Sequence, residues 1–142
     1  MQGKYSIQNL SKYIGDPTKC VFRSSWERKV MLRFDQSPVV LKWGSEPFYV
    51  HYRSPVDNRI HRYFPDFIVV ARSADGQVIT TVIEVKPAAE TQPPKAQGKK
   101  KERFLQECCT YSVNQAKWAA AEELCKQRGW RFVVMTEKEI NP

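Results

Sequence analysis

Residues 65–86 read PDFIVVARSADGQVITTVIEVK, and the fold turns on how this stretch pairs with itself. Phe67–Ala71 and Val78–Val85 are apolar on both faces, the pattern of strands covered on both sides in the middle of a sheet. Ser73-Ala74-Asp75-Gly76 between them is a turn signal. Positions 66 and 84 average to 75, the Asp in that turn, so a three-residue loop from Ala74 to Gly76 puts Asp66 directly opposite Glu84. Opposed residues of an antiparallel pair lie about 5 Å apart at Cα. Lys86 follows Glu84 by two and shares its face. A one-residue slip would separate the two acids, so the alignment is conditional on the loop count.

Two carboxylates and an ammonium within otherwise apolar strands are costly unless they serve one another or a metal. Paired carboxylates suit Mg²⁺, which keeps several waters and takes one or two protein carboxylates. The backbone carbonyl of Val85 is a further candidate ligand. A Lys beside such a site can orient or deprotonate a water and stabilise charge in the transition state. Together the parts match metal-assisted phosphodiester hydrolysis. The structural reading is an Asp66 that ends a strand, with Glu84 and Lys86 an ordinary pair where Pro87 stops pairing. The spacing around one turn, on strands buried on both faces, favours a site.

Working outward, residues 1–22 read as a basic, aromatic-studded arm and 23–142 as a single domain. Ser24 with Glu27 three residues on is a capping box. Trp26, Val30 and Phe34 mark one face of the helix it opens, and Ser37-Pro38 stops it. Glu27 is either the structural member of that box or a third carboxylate aimed at the sheet; the two are compatible, and residue physics favours the cap. Strands are expected at Val39–Trp43, Phe48–Tyr52, Arg62–Ala71 and Gln77–Lys86. Arg59, His61, Arg62 and Tyr63 approach the Asp66 end, either to grip a phosphate backbone or as a solvated edge. His61 is also a candidate proton donor.

Residues 87–103, with Pro93-Pro94 and a lysine run, read as a loop: a disordered connector or a basic strap over nucleic acid. Lys99, Lys100, Lys101 and Arg103 are its DNA-contact candidates. A short helix is expected at Phe104–Cys109 and a second from Ser112, boxed with Gln115, through Arg128 to a Gly129 stop. Asn114, Gln115 and Lys117 there either cap and solvate that helix or contact phosphate. Trp130–Thr136 reads as a last strand and Thr136–Glu139 as a third capping box. Hairpin-linked strands plus one strand reached through a helix imply an α/β fold with a mixed central sheet flanked by helices.

The 142 residues carry 23 Lys plus Arg against 15 Asp plus Glu, a net +8. Such an excess points to an anionic partner, nucleic acid first, although a merely soluble basic surface carries the same charge. At 42% hydrophobic the chain is no wholly disordered one. No apolar run approaches a membrane span and no secretory h-region is visible, so a cytosolic protein without membrane contact is expected. Cys20, Cys108, Cys109 and Cys125 form no C-x-x-C pair and sit far from both His residues in sequence, which argues against a zinc site and for reduced thiols.

Glu27, Pro65-Asp66 and Glu84-Val85-Lys86 resemble the E…PD…(D/E)xK signature of restriction-endonuclease-like nucleases. Phe22–Glu27, Trp43–Pro47, His61–Phe67, Ile83–Pro87, Asn114–Trp118, Gly129-Trp130 and Thr136-Glu137 resemble the head completion nucleases of T4-type tailed phages, and parts are similar to TnsA transposon-end nucleases. The resemblance implies a restriction-endonuclease-like core in which Asp66 and Glu84 ligate Mg²⁺ (Mn²⁺ substituting), with Val85 and Glu27 as further ligands. Lys86 assists the water, Glu27 becomes an active-site carboxylate and Gln115 an accessory residue. It implies a DNA endonuclease acting in head completion after packaging, in the host cytoplasm and then the virion, with DNA and head, portal or neck proteins as partners. Arg62, the 95–103 loop and Lys117 would hold the backbone. The rivals are a head-closure or DNA-end-binding protein with an idle site, and a branched-DNA resolvase or transposon-end nuclease. Oligomeric state stays open.

Overall fold

The computed structural model describes residues 2–142. Two short strands, β1 (Gly3–Lys4) and β2 (Val21–Phe22), pair antiparallel and lead into helix α1 (Ser25–Gln36). Strands β3 (Val40–Ser45), β4 (Val50–Arg53), β5 (Ile60–Tyr63), β6 (Phe67–Arg72) and β7 (Val78–Val85) follow. Helix α2 (Lys101–Gln127), strand β8 (Arg131–Met135) and the single-turn helix α3 (Glu137–Ile140) come last. The central sheet has the order β3-β6-β7-β8, antiparallel except for the parallel β7–β8 pair, so it is mixed as expected.

The central hairpin takes the register read from its loop. Ser73 N–H donates to the Gln77 carbonyl at 2.8 Å, leaving Ala74-Asp75-Gly76 as the loop. Gly76 has φ +87°, a left-handed position that glycine fills without strain. Pairing runs from Arg72 with Val78 to Phe67 with Ile83, so one further step sets Asp66 against Glu84. Strand alternation divides the apolar side chains between two layers. Phe67, Val69 and Ile83 share a core with Trp43 and with Val30 and Met31 of α1. Ile68 and Val82 face Cys125 of α2 on the other side.

The expected strand over Arg62–Ala71 is broken at Phe64-Pro65-Asp66. Pro65 has no N–H to give a ladder. β5 therefore leaves with β4 as a separate hairpin, while β6 joins the central sheet. The two helices expected between Phe104 and Arg128 are one continuous helix of 27 residues. Ser112 is an exposed interior position rather than a cap, and an interior Ser costs a helix only a few tenths of a kcal/mol. Asn114, Trp118, Ala121 and Cys125 are buried at helical spacing and carry the helix past it. Its C-terminus is as expected: Gly129 has φ +71°, and Trp130 N–H reaches the Cys125 carbonyl at 2.8 Å. The box at Thr136 and Glu139 is fully formed and starts α3.

Residues 2–22, expected as an arm, lie on the core. Their aromatics serve as anchors: Tyr5 and Phe22, with Cys20, are buried in the cluster under α1. Asp35, fully buried at the end of α1, accepts from Tyr5 Oη at 2.9 Å, Gln8 N–H at 2.8 Å and Asn9 N–H at 3.0 Å. Burial alone would raise its pKa, but the bonds from Gln8, Tyr5 and Asn9 outweigh it and hold the carboxyl below the ordinary range. Ile14 N–H then donates to the Trp43 carbonyl at 2.7 Å, covering part of the outer edge of β3. Gly44 permits this approach, since a Cβ there would meet the Ile14 carbonyl oxygen at 2.7 Å. Among the described residues no helix is long and apolar enough to cross a membrane.

Candidate active site

The broken strand creates the site. Where β5 turns into β6, the Asp66 carbonyl accepts from Glu46 N–H at 2.8 Å, and Asp66 Oδ2 accepts from Val85 N–H at 2.7 Å. The side chain is thereby fixed across the end of the hairpin. Glu84 is only 7% exposed, and Lys86 Nζ lies 3.9 Å from its Oε2. The three residues expected on one face are thus together. Val85 enters the site through its backbone.

Burial, and then the charge of Glu84, push the Asp66 carboxyl from 3.8 up to about 7; the Val85 N–H and the Lys86 charge pull the other way. Two adjacent carboxylates share more negative charge than one ammonium offsets. Oxygen donors in that state are the chemistry of a hard divalent cation. Among the described residues no group of three or more His, Cys, Asp or Glu is placed to hold a metal, so Asp66 and Glu84 stand as a pair of oxygen donors without a third carboxylate ligand, and Glu27 is not the further ligand the resemblance implied.

At Glu27 the Ser24 half of the expected capping box is formed, and the carboxylate bonds the Ser24 hydroxyl instead of its N–H. Ser24 caps α1 by accepting from Glu27 N–H at 3.1 Å. The Glu27 carboxylate, in turn, accepts from the Ser24 hydroxyl at 3.2 Å. It is part-buried, and burial followed by the charge of Asp66 raises its pKa. It therefore feels the charge of Asp66. Arg23, which carried no assigned role in the sequence, ion-pairs with Glu46 and adds positive charge near Glu27 and Asp66. Only its place in the Phe22–Glu27 string marked it. Tyr63 is 4% exposed and its hydroxyl lacks a hydrogen-bond partner. Burial and the nearby Glu84 charge raise its pKa, which places the phenol beside the site.

The remaining candidates are spread around this centre. Lys117 Nζ sits 5.8 Å from the Tyr63 ring centroid and 5.9 Å from that of Tyr52, tying α2 to the β5 end of the site. Gln115 is exposed, whereas its neighbour Asn114 is buried. His61 is drawn to Asp57 in the β4–β5 loop at 2.7 Å, away from the carboxylates along β5. Arg62 is exposed on that hairpin, its guanidinium 4.9 Å from the Tyr49 ring centroid. Lys99 and Arg103 both pair with Glu107, at 2.6 and 3.3 Å, while Lys100 and Lys101 are exposed.

A mixed sheet between helices is the architecture of a restriction-endonuclease-like domain. The chain belongs to the family described as TnsA-like endonuclease N terminal, whose model matches residues 37–137. It is also 39% identical over 139 residues to the head completion nuclease of Enterobacteria phage T4, covering 95% of this chain and 90% of that relative.

Proposed function

We propose that this chain is a metal-dependent DNA endonuclease of the PD-(D/E)XK type that acts in phage head completion after DNA packaging. The observation that carries the reading is the Asp66–Glu84 pair across the central hairpin, with Lys86 3.9 Å from Glu84. Near-complete mutual coverage with the T4 head completion nuclease favours that role over a transposon-end nuclease. DNA is the substrate, head, portal or neck proteins are the assembly partners, and the setting is the host cytoplasm and then the virion.

Asp66 and Glu84 would hold Mg²⁺, which Mn²⁺ can replace, with the Val85 carbonyl as a further oxygen donor; Glu27, which does not group with them as a third carboxylate ligand, would act through its charge. Once bound, the ion supplies charge that eases deprotonation of water and offsets negative charge building on the phosphate. Val85 N–H keeps Asp66 turned toward Glu84. Lys86 orients the attacking water and stabilises the developing anion. Arg23 neutralises the rim, and Lys117 holds backbone phosphate beside Tyr63.

The test is nicking and linearisation of supercoiled, linear and branched DNA, with and without Mg²⁺ or Mn²⁺. Lys86→Ala is expected to lower the metal-dependent rate by at least about a hundredfold while DNA binding survives. A parent protein that binds DNA yet cuts no substrate under any metal would overturn the endonuclease reading.

A further inference from the structure

Apart from Arg62, the outward face of the β4–β5 hairpin has no part in the site described so far. Val50, Tyr52 and Tyr63 turn inward onto Trp118 and Ala121 of α2. Alternation along the strands then sends Tyr49, His51 and Arg53 outward from one side, and Ile60, Arg62 and Phe64 from the other. His51 pairs with Arg62 and Arg53 with Ile60. All six are exposed, Tyr49 by 44% and Phe64 by 49%. The rings form one connected surface. Tyr49 lies 5.7 Å from Phe64 and 5.2 Å from His51, centroid to centroid, and Arg62 covers one side of Tyr49 at 4.9 Å.

This surface starts at the site. Phe64 precedes Asp66 by two residues, and Tyr49 follows Glu46, whose N–H is bonded to the Asp66 carbonyl at 2.8 Å. It leads away from the carboxylates toward Arg53, and none of its six residues is a carboxylate; Asp57 in the loop is occupied by His61, and Glu123 of α2 borders it at Tyr49 and His51. Successive outward positions are about 6.7 Å apart along a strand, comparable to one nucleotide of an extended single strand. Two exposed rings, with Arg62 beside Tyr49, are the elements that bind single-stranded nucleic acid: bases stack on the free ring faces and cations hold phosphates. Paired bases inside a duplex offer no free ring face, so these aromatics reward only unpaired ones.

We propose that the outward face of the β4–β5 hairpin is a binding subsite for unpaired nucleotides, stacking them on Tyr49 and Phe64 with Arg62 on their phosphates. The DNA is thereby engaged where a frayed end or single-stranded tail adjoins Asp66 and Glu84. The inference rests on the nuclease reading and names the substrate class of that same site.

The test compares the full-length protein with Tyr49→Ala/Phe64→Ala, using a blunt duplex and the same duplex bearing a tail with 2-aminopurine near the junction. The parent is expected to prefer the tailed DNA by at least about fivefold per stacked base and to quench the fluorophore. The double variant, shown folded by its thermal transition, is expected to bring that preference close to one and abolish the quenching. Tyr49→Trp/Phe64→Trp is expected to restore both. Full preference in the alanine variant would overturn the proposal by placing the tail elsewhere. Equal binding of both DNAs by the parent without quenching would also overturn it, and loss of head incorporation in that case would make the face a protein-docking surface. A parent that binds neither DNA would overturn the nuclease reading along with it.

Discussion

A carboxyl that burial and Glu84 hold at a pKa of about 7 makes the stability of the metal-free protein depend on pH. Unfolded, Asp66 titrates near 3.8; folded, near 7. Between those values the folded chain binds more protons than the unfolded one, so stability is greatest below the unfolded pKa, falls as pH rises through 7, and levels off above it. Asp66→Asn removes this charge. In EDTA, the variant's melting temperature is expected to fall less between pH 5 and 8 than the parent's. At pH 8 the variant's unfolding free energy is expected to exceed the parent's by roughly 2–4 kcal/mol. Added Mg²⁺ should stabilise the parent and not the variant. Melting curves across pH check this; an unchanged pH slope would assign the titration to another group, and full cleavage by the folded variant would remove Asp66 from the site.

At the scale of elements, two serines with similar sequence contexts have different fates. Both Ser24 and Ser112 precede a Glu or Gln by three residues. Ser24 caps α1 and also donates to the Glu27 carboxylate. Ser112 lies inside α2, exposed, where four buried residues at helical spacing override the local capping signal. Ser24→Ala is expected to cost about 1 kcal/mol. Its cleavage rate is expected to fall as well, because Glu27 loses its hydroxyl partner. Ser112→Ala is expected to stay within about 0.5 kcal/mol of the parent. Urea midpoints of the two variants decide the matter, and a Ser112→Ala cost as large as that of Ser24→Ala would place a helix boundary there after all.

At the scale of the whole molecule, the +8 charge is unevenly available. Lys99 and Arg103 are held by Glu107 and Arg23 by Glu46. Lys100 and Lys101, exposed at the start of α2, have no carboxylate within ion-pair distance among the described residues. Each phosphate contact contributes close to one unit to the slope of log affinity against log salt. Lys100→Ala/Lys101→Ala is therefore expected to lower that slope by up to about 2, whereas Lys99→Ala changes it less because its charge is already compensated. Salt titrations of duplex binding measure both; equal slopes for parent and double variant would take the start of α2 out of the DNA interface.

The sequence by itself determined what nearest neighbours along the chain decide. The three-residue loop at Gly76 set the register that brings Asp66 to Glu84. The period of two put Lys86 on the same face, and Ser24, Gly129 and Thr136 marked helix ends by local hydrogen bonding. Only the tertiary structure decided what depends on residues distant in sequence. Pro65 could be read as a strand residue until β5 was seen to leave with β4, and residues 2–22 read as an arm because the buried Asp35 that binds Tyr5, Gln8 and Asn9 lies far along the chain. Arg23 reached the site in the same way, and the burial of the Tyr63 phenol, whose approach to Asp66 the sequence had marked, came with it, since burial and electrostatic fields depend on distance through space rather than along the chain.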